Sequence, residues 1–550
     1  MKNTYIYNLL QQSLNTIGVE VGEHLSINLE KPKNTDNGDI SSNIAFLLSK
    51  KLKKAPIQIA NEIVQNLNLD KELIADINVA MPGFINFKFT PKYYQNKLND
   101  VINIGLEYGS SEIGKDKKVN VEYVSANPTG LLHLGHGRNA IVGDIISSLY
   151  KWCGFDVTRE YYFNNAGNQM NNLGKSVYAR YMQQVEDKDF PLPEDAYHGE
   201  YVITIASLLK EKYANQLKEY NEENLKICRK FAEEWCFNAI KQTLNNLKIE
   251  HDIFFNEDTL YTDGKITEVI NEFKAKGLAY EKDGALWLKL SEMGLEEDRV
   301  IVKSSGEPTY RLPDIAYHRE KLNRDYDLII DVFGSDHIAT VPDVLAGIKA
   351  LGYDVSKVKV LIHQFITLTE NGNQVKMSKR TGKSYTLDDL IEEVGSDVVR
   401  FFLIMRSLNT HLEFDLALAR EQSEKNPVFY LQYAHARIAS IIEKVSLENI
   451  DINNINYDLN NLKEAEELNL IKFILEFPEI VENSCLKCEP QVLTEYLKEL
   501  AAAFHQFYHN CRIMGSTNEV RNARLILAQT TKVVLNNGLK ILGVTAPDKM

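Results

Sequence analysis

Residues 118–150 read KVNVEYVSANPTGLLHLGHGRNAIVGDIISSLY. Val119, Val121 and Tyr123 alternate as a pleated strand requires, and from Gly135 onward Ile141, Ile145, Ile146 and Leu149 recur at helical spacing. Asn127-Pro128-Thr129-Gly130 lies between them with the composition of a turn. A strand passing through a glycine-bearing turn into a helix is the unit of an open α/β sheet, where ligands bind beyond the carboxyl ends of the strands. His133 and His136, three apart around Gly135, are therefore predicted at that edge and on the first helical turn, where backbone N–H groups and the helix dipole favour a phosphate. Gly135 admits a base or ribose close to the backbone, because a Cβ would obstruct it. Two imidazoles can donate to phosphate oxygens whose charge grows in an in-line displacement, and neither need act as nucleophile. A bare H-x-G-H also has a plainer reading, with His133 a satisfied core histidine and His136 a helix-terminus residue.

Outward from this stretch the texture stays strand, loop, helix. DLIIDVF (327–333) is a second buried-strand candidate, and the pattern predicts a parallel sheet. A Lys/Glu-rich helical region runs from about 170 to 300 and ends in LAYEKDGALWLKL, a hairpin expected to turn at Asp283-Gly284; it is read as an insertion. Before the sheet, residues 1–112 alternate helix-period segments with strand candidates such as GFINFKF (83–89), and the turn-rich EYGSSEIGKDKK (107–118) marks a boundary. After Gly395 no glycine occurs until Gly515, which predicts long helices. Val428, Leu431, His435, Ile438 and Ile442 share one face, and Asn426-Pro427 has the form of a helix start. The fold class expected is α/β: a parallel-sheet domain with an insertion (113–410), preceded by an α+β domain (1–112) and followed by an all-α domain (411–550).

A chain of 550 residues with 44% apolar content is long enough for several cores. The net charge of −14 gives no global attraction to polyanions, so any such partner must be held by local basic patches. The six cysteines include one C-x2-C, Cys485 and Cys488, without a second pair at zinc-finger spacing, and are read as buried thiols of a reducing compartment. No apolar run approaches 18 residues and the N-terminus lacks a cleavable leader pattern, so a soluble, cytoplasmic protein is expected.

A second signature, ENGNQVKMSKRTGKSYTLDDLIEEVGSDVVRFFL, spans 370–403. Lys376, Lys379, Arg380 and Lys383 fall within eight residues after an Asn371-Gly372 turn. Such a run is ordinary as a solvated surface, and it is also what a clamp for a triphosphate needs.

H-x-G-H near the start of a nucleotide-binding fold, followed far downstream by K-M-S-K, resembles the class I aminoacyl-tRNA synthetases. GDISSNIAFLLSK (38–50), SANPTGLLHLGHGR (125–138), TREYYFNNAGNQ (158–169), YRLPDIAYH (310–318), NPVFYLQYAHARIAS (426–440), FHQFYHNCRIMG (504–515) and GVTAPDKM (543–550) are similar to blocks of the arginyl-tRNA synthetases. Leu131 departs from the proline many members carry. The resemblance implies an N-terminal domain that meets the tRNA elbow, a Rossmann-type catalytic domain and a helical anticodon-binding domain, with tRNA(Arg), L-arginine and ATP with Mg²⁺ as partners, no structural metal and a monomer.

It also implies roles. His133 and His136 stabilise the transferring phosphate, and Lys376 and Lys379 face the leaving pyrophosphate. Gly135, Gly334, Asp336, His337, Met377 and Ser378 bind ATP; for Asp336 and His337 a capped strand-end turn is the alternative. Glu122, Asn127, His133, Tyr310 and Asp314 bind arginine, whose guanidinium carboxylates satisfy bidentately. Glu122 alone would otherwise read as a surface carboxylate of an edge strand. Phe84, Asn86, Tyr430, Tyr433, Arg437 and Arg512 meet tRNA, although most aromatics at helical spacing belong to a core. An adenylyltransferase acting on a small acceptor leaves the helical tail without a use, and a catalytically dead RNA-binding paralogue has no reason to keep both signatures.

Overall fold

The computed structural model describes residues 3–20, 26–32, 34–165, 168–186, 188–375, 385–452 and 454–550. Its centre is a five-stranded sheet of Lys118–Glu122 (β1), Asp156–Phe163 (β2), Ile253–Asn256 (β3), Leu328–Gly334 (β4) and Val358–His363 (β5), in the order β5-β4-β1-β2-β3. Every pairing is parallel. The chain leaves β1 toward β2 on one side and returns to β4 on the other, so strand order reverses between β1 and β4. That reversal opens a crevice at their carboxyl ends.

The helix after β1, Leu134–Trp152 (α1), packs flat on the sheet and is buried along most of its length. Gly143 allows the close approach: a Cβ there would lie 2.1 Å from Tyr123 Cγ. Arg138 is fully buried in the same helix, and its guanidinium donates to Gln364 O (2.8 Å), Ser407 O (3.0 Å) and Thr410 O (3.3 Å). Two further helices flank the crevice, Arg311–Leu322 (α2) and Leu387–Val394 (α3).

The region read as one insertion proves composite. Helices Asn168–Val185, Glu200–Tyr213 and Glu222–Asn246 enclose their own core around Leu173, Val177, Ile205 and Leu209. The chain then rejoins the main sheet at β3, and Ala279–Lys282, Ala285–Leu288 and Arg299–Val302 form a separate antiparallel sheet. The hairpin turn falls where expected, with Asp283 (φ 53°) and Gly284 (φ 75°) both left-handed, as a two-residue turn of that hand requires.

Among the described residues of 3–104, helices surround a four-stranded antiparallel sheet in which Phe84–Phe89 pairs with both Ile40–Ser42 and Ile74–Ala80. The C-terminal part is Pro427–Leu447 (α4), Ala465–Lys487 (α5), Pro490–Asn510 (α6) and Asn518–Ile541 (α7). Asn426 caps α4 by accepting from Val428 N at 3.0 Å, and Val428, Leu431, His435 and Ile438 are buried. Residues 412–415, assigned from sequence to the helical domain, are instead a strand paired in parallel with Ile366–Glu370. Leu412-Glu413-Phe414-Asp415 alternates as a strand does, but four residues leading straight into the apolar Leu416 are too short a run to announce one.

The parts are joined by polar rivets. Arg400 is fully buried and donates to Asp144 Oδ2 (2.5 Å), Leu247 O (2.7 Å) and Leu542 O (2.9 Å). Lys472 pairs with Asp39 at 2.7 Å, and Tyr108 OH donates to Ile474 O at 3.1 Å. All six cysteines are buried and none is in a disulfide; Cys488 is the left-handed C-cap of α5. Among the described residues no helix is long and apolar enough to cross a membrane.

Candidate active site

The crevice deepens into a cavity of about 840 Å³. His133, Gly135 and His136 form one wall. His133 is the N-cap of α1: its Nδ1 accepts from Gly135 N (3.1 Å), while its own backbone N donates to His136 Nδ1 (3.3 Å). The rings stack with centroids 3.7 Å apart. Because both Nδ1 atoms accept, each neutral ring carries its proton on Nε2. Burial, reinforced by His133 and His363, pushes the His136 imidazole down to about 3. The pair is thus neutral and presents two N–H donors, which suits an oxygen whose negative charge grows during reaction.

Glu122 ends β1, a central strand, and is 2% exposed. One oxygen accepts from Ser125 Oγ (3.0 Å) and the other from Lys321 Nζ (2.6 Å). Lys321 is fully buried and also donates to Asp331 (2.5 Å), the residue beside Glu122 in register. His318 completes the network, with Nε2 3.0 Å from Asp331 Oδ2 and Nδ1 2.8 Å from Asp314 O. A buried ammonium between two adjacent carboxylates offsets a repulsion the sheet could not otherwise hold. Lys321 and His318 both belong to α2, so the network fixes that helix against the sheet.

Asp314 lies on the first turn of α2 and faces the same cavity. Burial, together with Glu122 and Glu257, pushes its carboxyl up to about 7, against the opposing pull of His318 and Lys321. Tyr310 precedes the helix, is 68% exposed at the cavity mouth and meets Gln169 Nε2 at 3.4 Å. Asn127 Nδ2 donates to Gln169 Oε1 at 2.7 Å. The carboxyls of Glu122 and Asp314 thus line the same cavity as the His133 and His136 donors. Gly334 ends β4, Asp336 and His337 follow it, and all three line the cavity, with the His337 ring stacked on Phe333 at 5.0 Å.

Lys376, Met377, Ser378 and Lys379 lie outside the described residues. The chain downstream of them does reach the cavity wall: Leu387 N, at the start of α3, donates to Leu132 O at 2.8 Å, next to His133. Of the remaining predicted residues, Tyr433, Arg437 and Arg512 line a second cavity of about 470 Å³ on the helical part. The Arg437 guanidinium lies 5.0 Å from the ring centres of both Tyr433 and Tyr508. Tyr430 sits outside that lining, against His505 at 5.0 Å. Phe84 is half-buried edge-on to Phe46, and Asn86 is buried in the N-terminal sheet.

Sequence reasoning did not single out Gln169, Ser125, His318 or Lys321. Gln169 occurs inside a family-like block, but nothing in its neighbours marks it. Lys321 and His318 read as the charged face of an amphipathic helix, and only the fold turns that face inward.

Three family models match the chain: the arginyl tRNA synthetase N terminal domain over residues 4–89, the class I (R) tRNA synthetase catalytic domain over 98–403 and the DALR anticodon binding domain over 431–550. An arginine–tRNA ligase of Desulfotalea psychrophila is 47% identical over 523 residues, covering 95% of this chain and 94% of the relative. One from Salinibacter ruber is 44% identical over 563 residues, covering 99% of this chain and 100% of the relative. The solved Thermus thermophilus arginyl-tRNA synthetase shares the fold, with a TM-score of 0.77 at 22% identity over the full length of both chains. On its stacked imidazoles, its acidic cavity at the strand ends and these full-length matches, the chain belongs to the arginyl-tRNA synthetase family.

Proposed function

We propose that this chain attaches L-arginine to tRNA(Arg) at the expense of ATP. Arginine and ATP give arginyl-adenylate and pyrophosphate, and the arginyl group then passes to the 2′-hydroxyl of the terminal adenosine. The observation that carries this reading is a single cavity lined both by neutral imidazole donors and by the carboxyls of Glu122 and Asp314.

In this reading His133 and His136 donate through Nε2 to the α-phosphate as its charge rises. Gly135, Gly334, Asp336 and His337 receive the nucleoside, Asp314, Glu122 and Tyr310 receive the guanidinium, and Asn127 lies near the α-amino group. Lys376 and Lys379, with Met377 and Ser378, close on the departing pyrophosphate; this rests on the sequence motif. Mg²⁺ enters with the triphosphate as part of the substrate; among the described residues no group of three or more His, Cys, Asp or Glu could hold a metal.

The division into 1–112, 113–410 and 411–550 is proposed as elbow-binding, catalytic and anticodon-binding parts. Arg437 between two tyrosines, with Arg512, suits an unstacked base and its phosphate. Tyr430 and Tyr433 are proposed on the same side, and Phe84, supported by the buried Asn86, at the tRNA elbow. A cytoplasmic monomer is the working form proposed. Amino-acid-dependent ATP/pyrophosphate exchange tests the function: exchange is expected with arginine alone among the twenty and only when tRNA is present. Exchange driven by another amino acid refutes the assignment.

A further inference from the structure

The turn that follows β1 is strained. Val124 has φ 68° and Ser125 φ 40°, a left-handed conformation that L-residues rarely adopt and that is an outlier for a β-branched side chain. Ser125 N donates to Tyr123 O at 3.0 Å, which makes Val124 the centre of a three-residue turn. A conformation of this kind persists only where its surroundings hold it.

Asn139, on α1 one turn beyond His136 and 8% exposed, accepts from Val124 N through Oδ1 at 2.6 Å. Its Nδ2 donates to Val332 O of β4 at 2.7 Å. Ser125 Oγ, delivered by the turn, donates to Glu122 (3.0 Å) and accepts from Tyr162 N (3.1 Å). One carboxamide therefore stitches together the ends of β1 and β4, the two strands between which the sheet reverses. On one side of the stitch the strained turn aims Glu122, Ser125 and Asn127 into the cavity; on the other, β4 runs directly into Gly334 and Asp336.

We propose that Asn139 is a positioning residue for the aminoacylation site: its bridge holds the Val124–Ser125 turn in its strained form, and that form sets the arginine-binding lip relative to the nucleotide-binding strand. The inference rests on the cavity roles proposed above. Asn139 borders the cavity, but both polar atoms of its carboxamide are engaged by backbone groups, so it acts through Val124 and Val332. Its carboxamide is suited to the task because it supplies one acceptor and one donor in opposite directions.

Steady-state charging measured separately for arginine and ATP tests this, with circular dichroism confirming that each variant is folded at the assay temperature. Asn139→Ala is expected to lower kcat/KM for arginine about 30-fold, inside the hundredfold that a misplacement of about 1 Å costs. The KM for arginine should rise more than the KM for ATP, because the strained side of the bridge relaxes. Glycine adopts positive φ without steric cost, so adding Val124→Gly to Asn139→Ala is expected to bring kcat/KM back to within about fivefold of the parent. A side chain that only supports the fold would show no such rescue. Asn139→Ser, too short to span both partners, is read in the same way should the alanine variant not fold. A kcat/KM within twofold of the parent in the Asn139 variants, or no recovery on adding Val124→Gly, overturns the proposal. Glu122→Gln serves as control: if it leaves the arginine KM unchanged, the cavity assignment has failed; if it raises that KM while Asn139→Ala does not, only the positioning role has failed.

Discussion

Asp314 offers the sharpest test of how the cavity selects a cation. Its carboxyl is pushed up to about 7 by burial, with Glu122 and Glu257 adding to the rise and His318 and Lys321 opposing it. Arginine keeps its proton throughout the physiological range, so only the pocket changes charge. The raised value means that the carboxyl is neutral below pH 7 and charged above it. Its ionised fraction falls from about nine-tenths at pH 8 to about one-tenth at pH 6, and the arginine KM should rise about tenfold across that interval. Binding at pH 7 should release about half a proton as the guanidinium drives the carboxyl to its charged form. Asp314→Asn removes the titration and weakens arginine binding by about 2–5 kcal/mol, the cost of leaving a buried cation without its partner. The assays are the arginine KM from pH 6 to 8 at saturating ATP and tRNA, and calorimetry in two buffers of different ionisation enthalpy. An arginine KM with the same pH profile in parent and Asp314→Asn refutes the reasoning, as does binding without proton release.

Three further outcomes follow from the packing. Gly143→Ala should destabilise the fold by about 1–3 kcal/mol from overpacking, since its Cβ would meet Tyr123 at 2.1 Å, which outweighs the gain of about 1 kcal/mol that alanine brings to a helix; urea unfolding reads the difference. Arg400→Met leaves the Leu247 and Leu542 carbonyls without their donor and Asp144 with only the Arg159 guanidinium at 3.6 Å, and should cost about 2–4 kcal/mol, seen as a lower thermal midpoint. His251, its ring tilted against Tyr123 with centroids 4.3 Å apart, is pushed down to about 3 by burial. The unfolded chain therefore takes up a proton below about pH 6.5 that the folded chain refuses, and stability falls as pH drops through that window; His251→Phe should recover about 1–2 kcal/mol at pH 5 relative to pH 8.

The legible parts of this molecule are those where period and turn chemistry agree. Val119, Val121 and Tyr123 leading into α1 announced the sheet and its ligand edge, and Asp283-Gly284 fixed a hairpin. β3 was hidden because Ile253–Asn256 is four residues with no alternation, and the strand at 412–415 because it sits inside a glycine-free run that otherwise builds helices. At the site, His133 and His136 were recognisable from their spacing around Gly135. The Lys321–Glu122–Asp331–His318 network was not, because a lysine and a histidine on RLPDIAYHREKL look like a solvated face until the helix is docked. Strain at Val124 has no signature at all: valine at a left-handed position contradicts its own propensity, and only the fold reveals what holds it there.

The central claim is that one cavity holds the phosphate against the histidines and the guanidinium against the carboxyls. A crystal structure with a non-hydrolysable arginyl-adenylate analogue measures this directly. The phosphate oxygens should lie about 3 Å from Nε2 of His133 or His136 and the guanidinium nitrogens about 3 Å from Asp314 and Glu122. An analogue bound with its guanidinium away from both carboxyls, or with its phosphate beyond reach of either imidazole, contradicts the account.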